Sequence, residues 1–360
     1  MGARPQPSAA SLQSRFGKLF LWIAVLLALW ADLSFAQAAT VYPTFNVTVT
    51  TAANLGNVVS AYTGSTIFTV NPVDGTMTRS GSAVRLSTGD ARAKITVTCV
   101  LGSGENSNDC ATNRPLVYIS AGTAINRAGP LNNFIVSLIS DSFDHNPTTG
   151  SSINFALQPI TEHGGTSAQF YLGFDFTVLG DDSPKNTGVS TSAISFETCA
   201  SNGGVCLSGA THKFASASAA ATVFRPIAMA NSQSLVFGRI TRPKTGSGSV
   251  TMDPASGVRT AAGGASFVSV PAATVAVYAV SGEGGQVFSI GVPPTFSMTG
   301  PGSGVVTTTL TSTATGSAAL SSALGSAGTY SFKVGGSIPL SSTTADGAYS
   351  GSYAVMVQYN

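Results

Sequence analysis

The sequence contains an internal repeat, which restricts the fold to two related modules in tandem. Three groups of residues recur at one spacing, the second copy lying 182 positions after the first. Ungapped matches that include an apolar–Gly pair and an Asn/Asp-Pro-x-x-Gly turn are not expected from low complexity, so the two halves are homologous units. The matching ranges are 39–42 with 221–224, 55–58 with 237–240, and 69–75 with 251–257.

Both modules are predicted to be all-β. Alternating β-branched or aromatic residues fill 94–99, 134–138, 275–280 and 353–359, and Gly and Pro interrupt the chain too often for long helices. We therefore expect two tandem immunoglobulin-like or pilin-like β-sandwiches. The predicted boundaries are 1–38 for a signal peptide, 39–220 for an enlarged first module and 221–360 for the second module.

Two segments inside this scheme carry specific expectations. Residues 170–176 alternate strictly, with Phe170, Leu172, Phe174 and Phe176 on one face, and so predict a core strand equivalent to residues 330–334 of the second module. Residues 214–221 are rich in Ala and lie at the module boundary. We interpret them as a linker, with a short helix as the alternative.

The N-terminus has the pattern of an export signal. Three basic residues precede an apolar run over residues 19–31, and Ala36-Gln37-Ala38 then forms a small-x-small cleavage site. The run is too short to span about 30 Å of hydrocarbon, and no later segment has 18 uninterrupted apolar residues. Cleavage is predicted after Ala38, and no transmembrane segment is expected afterwards.

The charge and cysteine content fit an exported protein. Only 9% of residues are charged, and removing residues 1–38 leaves 14 basic and 14 acidic residues, so a nucleic-acid or anionic-lipid partner is not expected. Each of two cysteine pairs brackets a polar loop, which predicts local disulfides, although four cysteines permit three pairings. The pairs are Cys99 with Cys110 and Cys199 with Cys206.

The second module resembles a bacterial family known only as domain of unknown function 4402. The resemblance rests on the turn VTMDPASG, the step Gly335-Gly336-Ser337-Ile338 and the ending G-x-YSG-x-Y-x-V-x-V-x-Y. The first module keeps the early turn and lacks the YSG ending, so it resembles a diverged member. Members of this family are exported and have no assigned activity, and the resemblance therefore implies a fold and a compartment but no reaction.

The C-terminal strand also resembles that of chaperone–usher pilins, including the spore-coat-U-like ones. Gly347 is the 14th residue from the end and Tyr359 the penultimate one, with Tyr353, Val355 and Val357 alternating between them. In such pilins this strand borders a groove that a segment of a chaperone or neighbouring subunit fills. The resemblance implies that these five residues form a strand-docking edge. The alternative is the last core strand of a complete sandwich.

A donor strand for such a groove has one candidate in the sequence. Phe45, Val47 and Val49 share one face of residues 45–49. The same pattern suits the first strand of the first module. A third possibility is that the leading strand of each module completes its neighbour.

Residues that carry catalysis or bind metals do not form a recognisable constellation. His145, His163 and His212 lie in polar stretches without partners at metal-ligand spacing, and we interpret them as loop histidines. Asp181 and Asp182 with Asn186 contain oxygen ligands for calcium, but no twelve-residue calcium loop surrounds them. A glycan platform would need aromatic residues on the exposed face of 170–176, where only Tyr171 lies.

The sequence therefore predicts an exported, non-enzymatic surface protein without cofactor or metal. Its expected partners are other surface subunits or a periplasmic chaperone, bound by strand addition, so that it is a pilus-like or adhesive subunit. The alternatives are a free-standing secreted or periplasmic binding module for a glycan or calcium, and a secreted hydrolase whose triad is assembled from distant loops.

Overall fold

The strands of the first module form two sheets that enclose one core. The computed structural model describes Gly2 and residues 41–101, 109–139, 141–160, 166–314 and 316–360; the predicted signal peptide, the loop 102–108 and His163 lie outside the described residues. One sheet has the order β1-β6-β11-β3-β4 with β8 also on β11, and the other has the order β5-β2-β14-β12-β7-β10-β9 with β13 on β12. The strands are β1 (Thr44–Thr51), β2 (Asn54–Val59), β3 (Ser65–Val70), β4 (Met77–Ser80), β5 (Val84–Arg85), β6 (Ala93–Val100), β7 (Arg114–Ile125), β8 (Asn132–Leu138), β9 (Phe143–His145), β10 (Ser152–Leu157), β11 (Ser167–Leu179), β12 (Gly188–Asn202), β13 (Val205–Cys206) and β14 (Lys213–Phe224), with a single helical turn α1 (Asp109–Thr112) before β7.

The second module repeats the first sheet and divides the second sheet in two. Its large sheet has the order β15-β20-β25-β17-β18, extended by β23 on β25 and β22 on β23, and two small sheets have the orders β16-β19 and β24-β21-β26. The all-β prediction is confirmed. The strands are β15 (Ala228–Gln233), β16 (Ile240–Thr241), β17 (Ser247–Met252), β18 (Arg259–Ala262), β19 (Ser266–Phe267), β20 (Ala276–Glu283), β21 (Val287–Gly291), β22 (Thr295–Thr299), β23 (Val305–Ser312), β24 (Ser317–Ala319), β25 (Ala327–Ser341) and β26 (Met356–Tyr359), and a 3₁₀ turn occupies Pro301–Ser303.

The repeat predicted from the sequence is visible in the strand register. Three strands of the first module, β3, β4 and β5, recur as β17, β18 and β19 with both ends displaced by 182 positions. The cross-strand pairs recur as well, since Phe68 opposite Arg79 becomes Val250 opposite Ala261. The two modules therefore share topology residue by residue over this region.

The predicted Asn/Asp-Pro-x-x-Gly turns are confirmed and have the same hydrogen bond. The N–H of Gly75 donates to the carbonyl of Asn71 at 3.0 Å, and that of Gly257 donates to the carbonyl of Asp253 at 2.8 Å. Both glycines have positive φ, +74° and +71°, which a side chain would disfavour. Proline presets one backbone dihedral angle of the turn and glycine adopts the positive φ, so the two residues together fix the turn.

The predicted core strand 170–176 is confirmed as the middle of β11. Phe170, Leu172, Phe174 and Phe176 are fully buried in the core of the first module. In the second module Phe332 on β25 has the equivalent place, since Phe170 pairs with β6 and Phe332 pairs with β20. Alternation of large apolar residues was therefore sufficient to identify the central strand.

Residues 214–221 form most of β14, and their interpretation as a linker or short helix is wrong. β14 pairs antiparallel with β12 along nearly its whole length and parallel with β2 at its end. Ala219, Ala221 and Val223 face the core and are buried. β1 packs across β14, so small side chains fit where the two sheets approach each other. The strand continues past the predicted module boundary to Phe224.

Residues 45–49 belong to β1, so their interpretation as a free donor strand is wrong. β1 pairs with β6 of its own module from Thr44 to Thr51. Phe45 and Val47 are buried in the first core. The alternative, the first strand of the first module, is confirmed.

Both predicted disulfides are present. Cys99 on β6 is bonded to Cys110 in α1, with their Cα atoms 6.1 Å apart, and Cys199 on β12 is bonded to Cys206 on β13, with their Cα atoms 5.8 Å apart. Each bridge closes a local loop, as the spacing indicated. Within the described residues, no helix has the length and apolar character needed to cross a bilayer.

Candidate functional site

The second module lacks, among its described residues, a counterpart of β14. In the first module β14 lies between β2 and β12 and joins them into one sheet. In the second module β16 is the counterpart of β2, and β26 is the strand that follows β25 as β12 follows β11. These two strands belong to separate sheets. We call the space between β16 (Ile240–Thr241) and β26 (Met356–Tyr359) the open slot.

The hydrophobic core of the second module is divided more evenly than that of the first. β14 contributes to the main core of the first module, which has only a small separate cluster around Leu116 and Cys199, whereas the buried residues of the second module form two clusters. One cluster, around Phe288 and Phe332, lies against β26, and the other, around Phe237 and Met252, lies near β16. A strand between β16 and β26 would join the two clusters as β14 does in the first module.

Side chains along the open slot are less buried than their counterparts. Ile194 and Phe196 face inward from β12 and are buried. Tyr353, Val355 and Val357 face inward from the last strand and its approach, yet they are only half-buried. Apolar side chains that remain half in solvent are stabilised when a further strand covers them.

The backbone of β26 is paired on one side only in the described structure. β26 pairs with β21 from Phe288 to Gly291, and the N–H of Asn360 donates to the carbonyl of Val287 at 3.2 Å. Because hydrogen-bonding directions alternate along an antiparallel strand, the amides of Met356 and Gln358 also face β21. The amides of Val355 and Val357 then face the open slot, on the side of the strand that no ladder of the described structure occupies.

The predicted docking residues divide into two groups. Tyr353, Val355, Val357 and Tyr359 lie together on the inner face beside the open slot. Gly347 lies in the turn before them, with φ +146° and a position for Cβ only 2.3 Å from Pro301 Cγ. Its requirement for glycine is explained by that close approach to Pro301.

The last strand is shorter than predicted. Its ladder begins at Met356 and not at residue 353. The partner strand β21 ends at Gly291, and Pro293 and Pro294 follow it. Proline has no N–H to donate to a ladder, so pairing stops there although the alternation of side chains continues.

Tyr359 is anchored in the junction between the modules. Its hydroxyl donates to the carbonyl of Arg225 at 2.9 Å and accepts the N–H of Glu283 at 2.7 Å. Its ring packs beside Phe224 with centroids 6.0 Å apart. Burial raises the pKa of Tyr359 from 10.0 to about 12. Burial also raises the pKa of Tyr353. Tyr359 therefore fixes the end of β26 at the junction.

A comparison with protein families identifies the second module. The family described as Domain of unknown function (DUF4402) matches residues 227–359. The second module matches DUF4402. The match extends from Ile227 to Tyr359, so it includes both borders of the open slot. No curated protein matches the chain. The resemblance of the first module to DUF4402 stays a prediction.

The junction that leads into the DUF4402 module contains buried charges that the sequence did not reveal. Tyr42–Asn360 form one compact unit. Arg127, with 1% of its side chain exposed, binds Asp181 at 2.7 Å, and Arg225 contacts the same carboxylate at 3.2 Å. Glu283 is fully buried and accepts the N–H groups of Arg225 at 3.1 Å and Gly325 at 2.5 Å. These bonds tie the two modules together next to Tyr359.

The histidines do not assemble a catalytic site in the described structure. His145 is exposed at the end of the edge strand β9, so its interpretation as a loop histidine is wrong, and its neighbour Asp144 binds Arg114 at 2.7 Å. His212 is exposed and lies 2.5 Å from the carboxylate of Glu197, which is a surface pair. Neither histidine has a nucleophile beside it among the described contacts.

The calcium and glycan alternatives gain no support from the geometry. Asp181 binds two arginines, and Asp182 accepts the N–H of Gly64 at 3.1 Å, so these carboxylates already have protein donors. The guanidinium of Arg92 lies over the ring of Tyr171 at 3.8 Å from its centroid. That contact covers the aromatic face on which a sugar would stack.

Proposed function

We propose that this protein is an exported, non-enzymatic subunit of a cell-surface assembly, and that its second module binds a partner by β-strand addition at the open slot. The observation that supports this most is the internal comparison. One module has a strand between β2 and β12, and its relative in the same chain has the matching borders without the strand. A module of this kind is completed when an extended segment enters from outside.

Export is supported by three independent features of the chain. The N-terminal residues have the tripartite signal pattern, with a small-x-small site ending at Ala38. Both cysteine pairs form disulfides, which persist in oxidising compartments. Only 9% of the residues are charged, so Ser, Thr and Asn provide polar groups that interact with solvent. These features together support an extracellular or periplasmic location.

Strand addition accounts for the half-buried apolar face better than a finished sandwich does. A finished sandwich buries the inner face of this strand, as β12, the counterpart of β26, shows in the first module. Here the inner face of residues 353–359 is half-buried and amides of the same segment face the open slot. An added strand would satisfy both the apolar face and the free amides.

A slot-filled variant tests the proposal. In it, residues 213–224, the sequence of β14, are repeated after Asn360 through a flexible Gly/Ser linker, so that the copy can fold back along β26. We expect the variant to melt at a higher temperature than the unmodified chain and to be absent from assemblies on expressing cells. The matched control has proline in place of the copies of Ala219 and Ala221, which prevents strand pairing. Equal melting temperatures for variant and control would contradict the open slot.

The location is tested separately with the unmodified chain. We expect the protein recovered from intact cells to begin at Ala39 and to be accessible to an added protease. A chain that retains residues 1–38 and is protected inside the cytoplasm would contradict export. This outcome does not depend on the slot-filled variant.

A further inference from the structure

The strand that fills the first module leads directly into the second module. β14 ends at Phe224, and β15, the first strand of the next module, begins at Ala228. The last residues of β14 pair with both borders, since Val223 lies opposite Gly188 on β12 and beside Val58 on β2. In this fold the segment before one module's first strand therefore completes the module that precedes it.

The same segment occurs before the first module. Residues 39–42 (ATVY) match residues 221–224 (ATVF) at the repeat spacing, and we call residues 39–42 the leading segment. Val223 is fully buried in β14, whereas its equivalent Val41 is 57% exposed. Phe224 is buried and Tyr42 is half-buried. The leading segment thus has the sequence of a slot-filling segment while its valine lies in solvent.

The far end of the second module has the equivalent border residues, and they are less covered. The β2 residues beside the end of β14 are Asn57, Val58 and Val59, and their equivalents at the repeat spacing are Arg239, Ile240 and Thr241. Val58 is fully buried, and Ile240 is only half-buried. A cavity of about 550 Å³ opens there, lined in part by Ile240, Thr241, Arg242 and Asp346.

In the first module the equivalent end is closed by the chain itself. The N–H and the hydroxyl of Ser60 both donate to the carbonyl of Phe224, at 2.9 and 3.1 Å. The hydroxyl of Tyr62 donates to the carbonyl of Ile227 at 2.8 Å. Arg242 has the position of Ser60 in the second module, and its contacts are with Ser342 and Asp346. The second module therefore keeps the docking surface but lacks the segment that covers it.

We propose that the partner at this end of the open slot is a second copy of this chain, whose leading segment lies parallel to β16 and packs Val41 beside Ile240. This proposal rests on the proposed function and names its partner. The contact repeats, between two chains, the junction that joins the two modules within one chain. Because the leading segment and the open slot lie on different modules, the association is head-to-tail and extends into an open filament.

Complementation between two blocked chains tests the head-to-tail arrangement. Val41→Asp changes an exposed residue of the leading segment and prevents that segment from docking. The slot-filled variant prevents docking at the open slot. With the exported, processed proteins in analytical ultracentrifugation, we expect the unmodified chain to form a concentration-dependent series of oligomers. Each blocked chain alone should be monomeric, with self-association at least about tenfold weaker. In Val41→Asp a charge replaces a valine that the contact would bury, and in the slot-filled variant the slot is already occupied. A mixture of the two should form a one-to-one dimer and nothing larger.

Val258→Asp is the matched control, since Val258 is 58% exposed in a turn of the second module. It should associate like the unmodified chain. Association of Val41→Asp at the unmodified strength, or a mixture that stays monomeric, would overturn the proposal.

A synthetic peptide with the β14 sequence separates the two proposals. If the chains do not associate but the peptide raises the melting temperature of the unmodified chain, the slot accepts a strand and the partner is not this chain. If the peptide also has no effect, the proposed function fails together with the inference.

Discussion

Replacing Tyr359 by phenylalanine tests whether the end of β26 is fixed by the junction. The change removes one hydroxyl that satisfies two main-chain groups, the carbonyl of Arg225 at 2.9 Å and the N–H of Glu283 at 2.7 Å. Each group left without a partner costs about 1–3 kcal/mol, so for the two groups together we expect the free energy of unfolding to fall by about 2–6 kcal/mol. The ring remains, and its contact with Phe224 is retained.

Tyr62→Phe is the control for the same chemistry at an exposed position. Its hydroxyl also donates to a main-chain carbonyl of the junction, that of Ile227 at 2.8 Å, but the residue is 61% exposed. Water replaces this bond, and the expected loss is about 0.5 kcal/mol or less. Urea unfolding of both variants, followed by far-ultraviolet circular dichroism, gives the comparison. Equal losses for Tyr359→Phe and Tyr62→Phe would refute the anchoring role of Tyr359.

Three further predictions concern the stability of the modules. Replacing Cys99 and Cys110 together by serine should lower the free energy of unfolding by about 2–3 kcal/mol in oxidising buffer. The bridge joins residues 11 positions apart and so restricts the conformations of the unfolded chain. Urea unfolding with and without reductant measures the difference. Phe332→Ala should cost about 3–5 kcal/mol by creating a cavity in the second core. The exposed Phe214→Ala should cost about 0.5 kcal/mol or less, and calorimetry compares the two. Burial raises the pKa of Tyr359 from 10.0 to about 12, so the stabilising effect of its protonated hydroxyl is complete below pH 10.0 and is lost as the pH rises towards 12. A pH series of melting curves should show this loss in the unmodified chain and less of it in Tyr359→Phe.

The sequence was informative where local chemistry decides the structure. The turns at Gly75 and Gly257 were predictable because proline and glycine restrict the backbone directly. The strand through Phe170 was predictable because its alternation of large apolar residues has one physical explanation. The disulfides followed from short separations between cysteines.

The remaining features depend on contacts between distant residues. β14 was missed because its inward residues are alanines, whose alternation with serine has little hydrophobic contrast. Small residues are needed in β14 because β1 packs across it, and the sequence does not show that contact. The junction was missed because Arg127, Asp181 and Glu283 are far apart in sequence and meet only in the fold. The resemblance of the last strand to that of pilins implied a docking edge, but the missing strand beside it became visible only from the comparison of the two modules.

Amide hydrogen exchange at single-residue resolution tests the open slot in the unmodified protein. β12 has regularly paired strands on both sides from Ile194 to Thr198, so its amides there should be uniformly protected. In the last strand we predict alternation, with slow exchange at Met356 and Gln358, which face β21, and fast exchange at Val355 and Val357, which face the slot. Addition of the β14 peptide should slow exchange at these two valines. Protection of Val355 and Val357 equal to that of β12 before any peptide is added would contradict the account.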